Sequence, residues 1–241
     1  MGVPLNGKFE EFLRQIQTAK SVIDLKAIMR KMTAESGLAN IAYHALKIPI
    51  RHDPEPILIL TYEDDWVRRY VERDYFALDP TVRAGSKEFL PLDWLDVDRS
   101  SVEVQRFFRE ADAYGVGRQG VTLPVRGPAG ERALFTVTSN LADADWKSRR
   151  LLYMRDFQLL GHFIHDRAVD LSGYRIEGPA LSGREAQCLE RTASGRHVKQ
   201  IASELALSIS AVQLYLRSAR HKLGCASVAE AVVKATRREL L

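Results

Sequence analysis

Apolar side chains recur at helical spacing near the start of the chain. Phe9, Phe12, Leu13 and Ile16 fall at i, i+3, i+4 and i+7, and Leu25, Ile28, Met29 and Met32 repeat the pattern. Gly37 follows the second stripe, where a helix end favours left-handed backbone. Residues 41–48 and 57–62 are strand-like, with Pro49, Pro54 and Pro56 breaking the chain between them. Residues 120–125 and 133–139 predict a hairpin around a turn of Arg126, Gly127, Pro128, Ala129 and Gly130. Residues 101–113 and 145–169 are helical by length and pattern. Helices flanking antiparallel strands predict an α+β fold, an α/β/α sandwich over residues 1–170. Residues 171–180 carry Gly173, Gly178 and Pro179 without periodicity and are expected to be a linker.

Residues 181–241 read differently, as a small all-α unit of four helices. Ser182 and Glu185 form a capping box, in which each side chain satisfies a backbone N–H of the first helical turn. That helix runs to about Ala193 and stops at Gly195. A second helix carries Val198, Ile201, Ala202 and Leu205, and a turn around 206–208 leads to a third, about 209–223, stopped by Gly224. Ser227 and Glu230 repeat the capping box and open a last helix. Short helices with tight turns point to a helix-turn-helix. On the third helix Val212, Leu216, Ala219 and Leu223 share a core-facing side, while Ser210, Gln213, Arg217 and Arg220 share another. Arg and Gln can read guanine and adenine edges bidentately, so these four residues are expected to face DNA. Lys199, Arg196 and Lys222 are expected at phosphates, which set register rather than sequence preference.

Charge sharpens this division. Of the formal net charge of +4, residues 181–241 hold ten Lys and Arg against five Glu, a net +5, which leaves −1 for residues 1–180. A basic excess confined to one segment fits a polyanion partner, or a solvated basic surface. Hydrophobic content of 46% supports an ordinary core. No apolar run approaches the roughly 18 residues of a membrane span, and the first residues lack a secretory signal, so a cytoplasmic protein without membrane contact is expected. Cys188 and Cys225 have no zinc-ligand spacing and are expected to be structural.

Leu181 to Glu185, Ala193 to Gly195, Ile201, Ala202, Leu205, Ser208, Val212, Leu216 and Lys222 to Gly224 together resemble the LuxR-type helix-turn-helix over residues 180–235. Ala211, Gln213 and Tyr215 depart from that family's commonest pattern, where Thr, a basic residue and His are usual. Upstream, Trp66, Tyr70, Asp79, Pro80, Trp94 and Gly120 occur in the order and spacing of the autoinducer-binding domain of LuxR-type quorum-sensing receptors. The resemblance implies a homodimeric transcription regulator that takes an N-acyl-homoserine lactone and binds double-stranded promoter DNA, with no cofactor. It implies that Trp66 donates to the lactone carbonyl, Tyr62 to the amide carbonyl, and that Asp79 accepts from the amide N–H. Thr136 would add a hydroxyl contact, and Tyr70 and Trp94 would wall the head group. An orphan regulator answering a plant or host compound is the alternative.

Two further expectations concern assembly and folding. An apolar pocket holding an unpartnered Asp79 should fold poorly when empty, and ligand at a thousandfold excess over Kd would add about 4 kcal/mol. Some of Leu152, Leu159, Leu160 and Phe163, with the last helix (228–235), would supply the dimer surface. Catalysis is not expected. The six histidines show no metal-ligand pattern, although His162 and His165 share a helix at i, i+3, and no serine sits in a GxSxG elbow. Neither a phosphate-binding GxxxxGK[ST] loop nor the repeated βα pattern of a phospho-receiver is present.

Overall fold

The computed structural model describes residues 7–48, 56–128, 130–174, 181–238 and 240–241, and the chain divides into two compact units at about residue 175. The first unit opens with α1 (Phe9–Thr18) and α2 (Val22–Ser36). Ser21 and Asp24 form a capping box on α2, and Gly37 ends it with φ 66°. Then come β1 (Asn40–Lys47), β2 (Leu58–Leu60), α3 (Asp64–Glu72), α4 (Tyr75–Leu78), α5 (Pro80–Gly85) and β3 (Leu92–Asp93). A 3-10 turn (Trp94–Asp96), α6 (Val102–Ala113), β4 (Gln119–Arg126), β5 (Arg132–Ser139) and α7 (Asp143–Leu171) complete it. The expected linker therefore begins inside a helix at Leu171, and residues 175–180 lie outside the described residues.

The five strands form one antiparallel sheet in the order β2-β1-β5-β4-β3. Alternation assigns its two faces. Ile41, Tyr43, Ile59, Val121, Leu123, Phe135 and Val137 belong to a core shared with α1, α2 and α7. On α7, Phe157, Leu160, Gly161, Ile164 and Ala168 are the buried stripe, at helical spacing. Gly161 lets the helix approach the sheet, since a Cβ there would lie 3.0 Å from the Phe135 ring. The opposite face carries Ala42, His44, Leu58, Leu60, Thr122, Leu134 and Thr136, and α3 to α6 supply the aromatic cluster on that side. The α/β/α sandwich is thus present, with a different kind of core on each side of the sheet.

Several local expectations change. β2 is shorter than 57–62, and at its far end the N–H of Ile41 goes to the Thr61 hydroxyl at 2.8 Å instead of to a strand carbonyl. Of the four dimer-surface candidates on α7, Leu160 is fully buried and Phe163 packs against the same core, while Leu159 is exposed, as is Leu151. His165 is also internal, its Nδ1 2.9 Å from the Tyr43 hydroxyl, whereas His162 is exposed and bonds the Gln158 carbonyl. Among the described residues no group of three or more metal-binding side chains occurs, and no helix is long and apolar enough to cross a membrane.

The second unit comprises α8 (Gly183–Ala193), α9 (Val198–Glu204), α10 (Ile209–Lys222) and α11 (Val228–Arg237). Cys188, Leu189, Ile201, Ala202, Val212, Leu216, Ala219, Leu223, Ala231 and Ala235 form its core. Burial raises the Cys188 thiol, keeping it in the inert protonated form. The capping box of Ser182 and Glu185 is complete. That of Ser227 is only half made, because the Glu230 carboxylate takes the N–H of Ala226 instead. Ala206 turns the chain between α9 and α10 at φ 53°, which costs an L-residue about 1 kcal/mol. Glu185 does more than cap. Its carboxylate accepts from the Ser218 hydroxyl at 2.6 Å and from Lys222 Nζ at 2.8 Å, fastening α8 to α10.

Candidate ligand cavity and DNA-facing helix

A cavity of about 320 Å³ lies between the sheet and α3 to α6. Ala42, His44, Leu58, Leu60, Leu134 and Thr136 form its sheet wall, and Tyr62, Trp66, Tyr70, Phe76, Asp79, Thr81, Val82, Trp94 and Phe107 are among those closing it from the helices. All six expected ligand residues, Tyr62, Trp66, Tyr70, Asp79, Trp94 and Thr136, therefore line one space. Trp66 holds its position through rings: Tyr70, Tyr75, Phe107 and Tyr114 surround it with centroids 5.7–6.0 Å away. Arg69 on α3 bonds Glu110 on α6 at 2.8 Å, tying together two of the helices that cover the cavity.

Asp79 is not unpartnered. It is the N-cap of α5, and Pro80 occupies the first helical position, where its missing N–H is harmless. Oδ1 accepts from the backbone N–H of Thr81 at 2.8 Å, the Thr81 hydroxyl at 2.7 Å and the N–H of Val82 at 3.3 Å. Oδ2 accepts from the Tyr70 hydroxyl at 3.0 Å. Four donors satisfy the carboxylate within the protein, so Asp79 gives no reason for the empty unit to fold poorly. Oδ1 shares its lone pairs among three of these donors while Oδ2 takes only Tyr70, so one lone pair of Oδ2 remains for a further donor. Burial pushes the Asp79 carboxyl up, while hydrogen bonds from Thr81, Tyr70 and Val82 pull the other way. Burial and the adjacent carboxylate also raise the Tyr70 phenol, which stays a donor to Asp79.

Trp94 also differs from a plain wall. Its Nε1 donates to the Thr122 hydroxyl at 3.0 Å, and Thr122 lies 3.2 Å from the Thr136 hydroxyl. The indole can only donate, so Thr122 accepts from it and can pass its own proton to Thr136, leaving the Thr136 O–H directed elsewhere. Gly120 permits this arrangement, because a Cβ there would sit 2.5 Å from the Trp94 ring. Gly120→Ala is expected to displace Trp94 at a cost of about 1–3 kcal/mol, lowering the melting temperature by about 2–4 °C per kcal/mol; an unchanged melting curve would contradict this packing.

By contrast, neither the Trp66 indole N–H nor the Tyr62 hydroxyl has a hydrogen-bond partner among the described residues. Thr81 and Thr122, which brace Asp79 and Trp94, were not expected as site residues. Thr81 was accessible from the N-cap position of Asp79, and Thr122 from alternation along β4.

On α10 the residues Ser210, Gln213 and Arg217 are exposed, as is Lys199 on α9. Two expected contacts are placed otherwise. Arg220 is half-buried and its Nη1 bonds the Ala226 carbonyl at 3.0 Å, bracing the turn before α11. Lys222 is engaged with Glu185 inside the unit. Arg196 stays exposed in an ion pair with Glu204 at 3.3 Å. The remaining set is a short polar strip on one exposed helix face, with a lysine on the preceding helix.

A sandwich enclosing one largely apolar cavity with few directed polar groups, in a chain that also carries a helix-turn-helix, is the architecture of a ligand-sensing transcription regulator. Residues 21–168 match the autoinducer binding domain, and residues 179–235 match the luxR family of bacterial regulatory proteins. The chain belongs to the LuxR family of autoinducer-binding transcription regulators, whose members are regulators rather than enzymes. It is 56% identical over 180 residues to the transcriptional activator protein RaiR of Rhizobium etli, covering 74% of each chain. With the transcriptional activator protein AnoR of Acinetobacter nosocomialis it shares 24% over 240 residues, 96% of this chain and 98% of that one. The fold is similar to SdiA of Escherichia coli, with a TM-score of 0.61 at 17% identity over 96% of this chain and 97% of that one.

Proposed function

We propose that this regulator is a quorum-sensing receptor that takes an N-acyl-homoserine lactone in its cavity and binds promoter DNA as a homodimer. One observation carries the reading. Two donors without partners, Trp66 and Tyr62, share an otherwise apolar cavity with a buried carboxylate that retains one acceptor position. An amide-linked lactone presents the complement: two carbonyls to accept and one N–H to donate. Trp66 then donates to the lactone carbonyl and Tyr62 to the amide carbonyl, while Asp79 Oδ2 accepts from the amide N–H. Tyr70 and Thr81 orient Asp79, and Trp94 acts through Thr122 to orient Thr136. The apolar walls take the acyl chain.

In the second unit Ser210, Gln213 and Arg217 read bases and Lys199 holds a phosphate. Exposed Leu151 and Leu159 on α7, and Val233 on α11, are offered as dimer contacts. A dimer would engage half-sites about 10 base pairs apart. The names of RaiR and AnoR support activation as the sense of regulation, and a DNA target supports a cytoplasmic location.

A reporter strain lacking its own lactone synthase tests the reading: output should require added lactone, and full output without it would contradict a lactone receptor. Arg217→Ala is expected to cost about 1–3 kcal/mol and relax preference at one base position, whereas Lys199→Ala weakens all sequences alike and lowers the salt slope by about 1. Binding isotherms at several salt concentrations separate the two; equal effects on operator and random DNA would remove Arg217 from base reading.

A further inference from the structure

The sheet wall of the cavity carries one polar side chain that the head-group contacts leave unused. His44 lies two residues beyond Ala42 on β1, so it shares the cavity face and sits about 7 Å along the strand from the Ala42 and Thr136 pair. Its cross-strand neighbours are Leu58 and Leu134. Its ring meets Phe76 edge-on, with centroids 5.2 Å apart. Every one of these neighbours is apolar, and the imidazole has no hydrogen-bond partner among the described residues. Burial pushes its pKa down to about 4, so at neutral pH the ring is uncharged and holds one N–H donor and one bare acceptor nitrogen.

A wholly hydrocarbon tail would cover this ring and leave both nitrogens unsatisfied, and burying polar groups that way is unfavourable. An oxygen on the tail satisfies one of the two nitrogens and so reduces that penalty. We propose that His44 is a specificity-determining residue that selects acyl chains bearing a hydroxyl or keto oxygen beyond the amide carbonyl. A hydroxyl can accept from the imidazole N–H or donate to the bare nitrogen, whichever of the two faces it, whereas a keto oxygen can meet only the N–H. Hydroxylated chains therefore rank first, keto chains second and unsubstituted chains last. This rests on the lactone reading above and adds the chemistry of the tail.

The test measures binding of lactones of equal chain length to the full-length protein: unsubstituted, keto and hydroxyl, with oxygen at the third carbon or further along. The wild type should prefer an oxygenated chain over its unsubstituted counterpart by about tenfold, the scale of one hydrogen bond made or left unmade. His44→Leu should bring that ratio near one, weakening the oxygenated ligand and tightening the unsubstituted one. His44→Asn keeps a donor and an acceptor and should retain part of the preference; it also serves if the leucine variant proves insoluble. Equal affinity of the wild type for all chains, or an undiminished preference in either variant that lacks the imidazole, overturns the role of His44 while leaving a lactone receptor intact. Failure of every lactone to bind instead overturns the parent reading.

Discussion

Glu185→Ala is expected to destabilise the DNA-binding unit by about 3–5 kcal/mol, the scale for removing one partner of a buried ion pair. The alanine leaves Lys222 without its carboxylate, strips Ser218 of its acceptor and opens the α8 capping box. A helical unit this small has little stability in reserve, so operator binding should be lost while lactone binding by the first unit survives. Glu185→Gln keeps a capping side chain without the charge and should fall between. Burial alone would raise the Glu185 carboxyl, but Lys222, Ser218 and Ser182 outweigh it and hold it at about 2. In the unfolded chain the ordinary value is near 4.5, so this stabilisation is full above that pH and is lost as pH falls toward 2. Denaturant unfolding across pH 2–6, followed in wild type and Glu185→Gln, checks the sign. A wild-type curve no steeper than the variant's would contradict it.

In the cavity, Asp79→Asn should weaken lactone binding by about 10- to 150-fold, the equivalent of about 1.5–3 kcal/mol for a charge-assisted hydrogen bond. Asparagine caps helices about as well as aspartate, so α5 should persist. Trp66→Phe removes a second directed contact while keeping an aromatic ring among Tyr70, Tyr75 and Phe107. It should cost about tenfold, for a single neutral hydrogen bond. Titration calorimetry with one lactone on the three proteins measures both effects. Unchanged affinity in Asp79→Asn with an intact fold would remove the carboxylate from ligand recognition.

Long periodic segments were legible before any coordinates. The stripes of α1, α2 and α7 and the β4–β5 hairpin lie where apolar spacing puts them, because each buries one continuous face. Short elements were not, since β3, α4 and α5 have between two and six residues, too few to show a period. The six ligand residues are legible through resemblance to a family pattern of residue types rather than through geometry, and their supports lie outside that pattern. Thr122 and Thr136 meet only because β4 and β5 pair in one register. His44 was open to inference from alternation along β1, where Ile41 and Tyr43 face one core and Ala42 and His44 the other side. Charge proved the weaker guide. Lys222 and Arg220 count toward the basic excess, yet their partners are Glu185, 37 residues away, and a backbone carbonyl six residues on. Which cations remain for DNA is decided by tertiary contacts that net charge does not encode.

In the proposed receptor Trp66, Tyr62 and Asp79 together hold one acylated lactone head in the cavity. The most direct measurement is mass spectrometry of small molecules that co-purify with the full-length chain from cells fed a panel of lactones, beside the double variant Trp66→Phe, Asp79→Asn. The wild type should retain a single N-acyl-homoserine lactone at about one per chain, and the folded double variant should retain none. A wild type that carries no lactone, or a double variant that carries it equally well, would contradict the account.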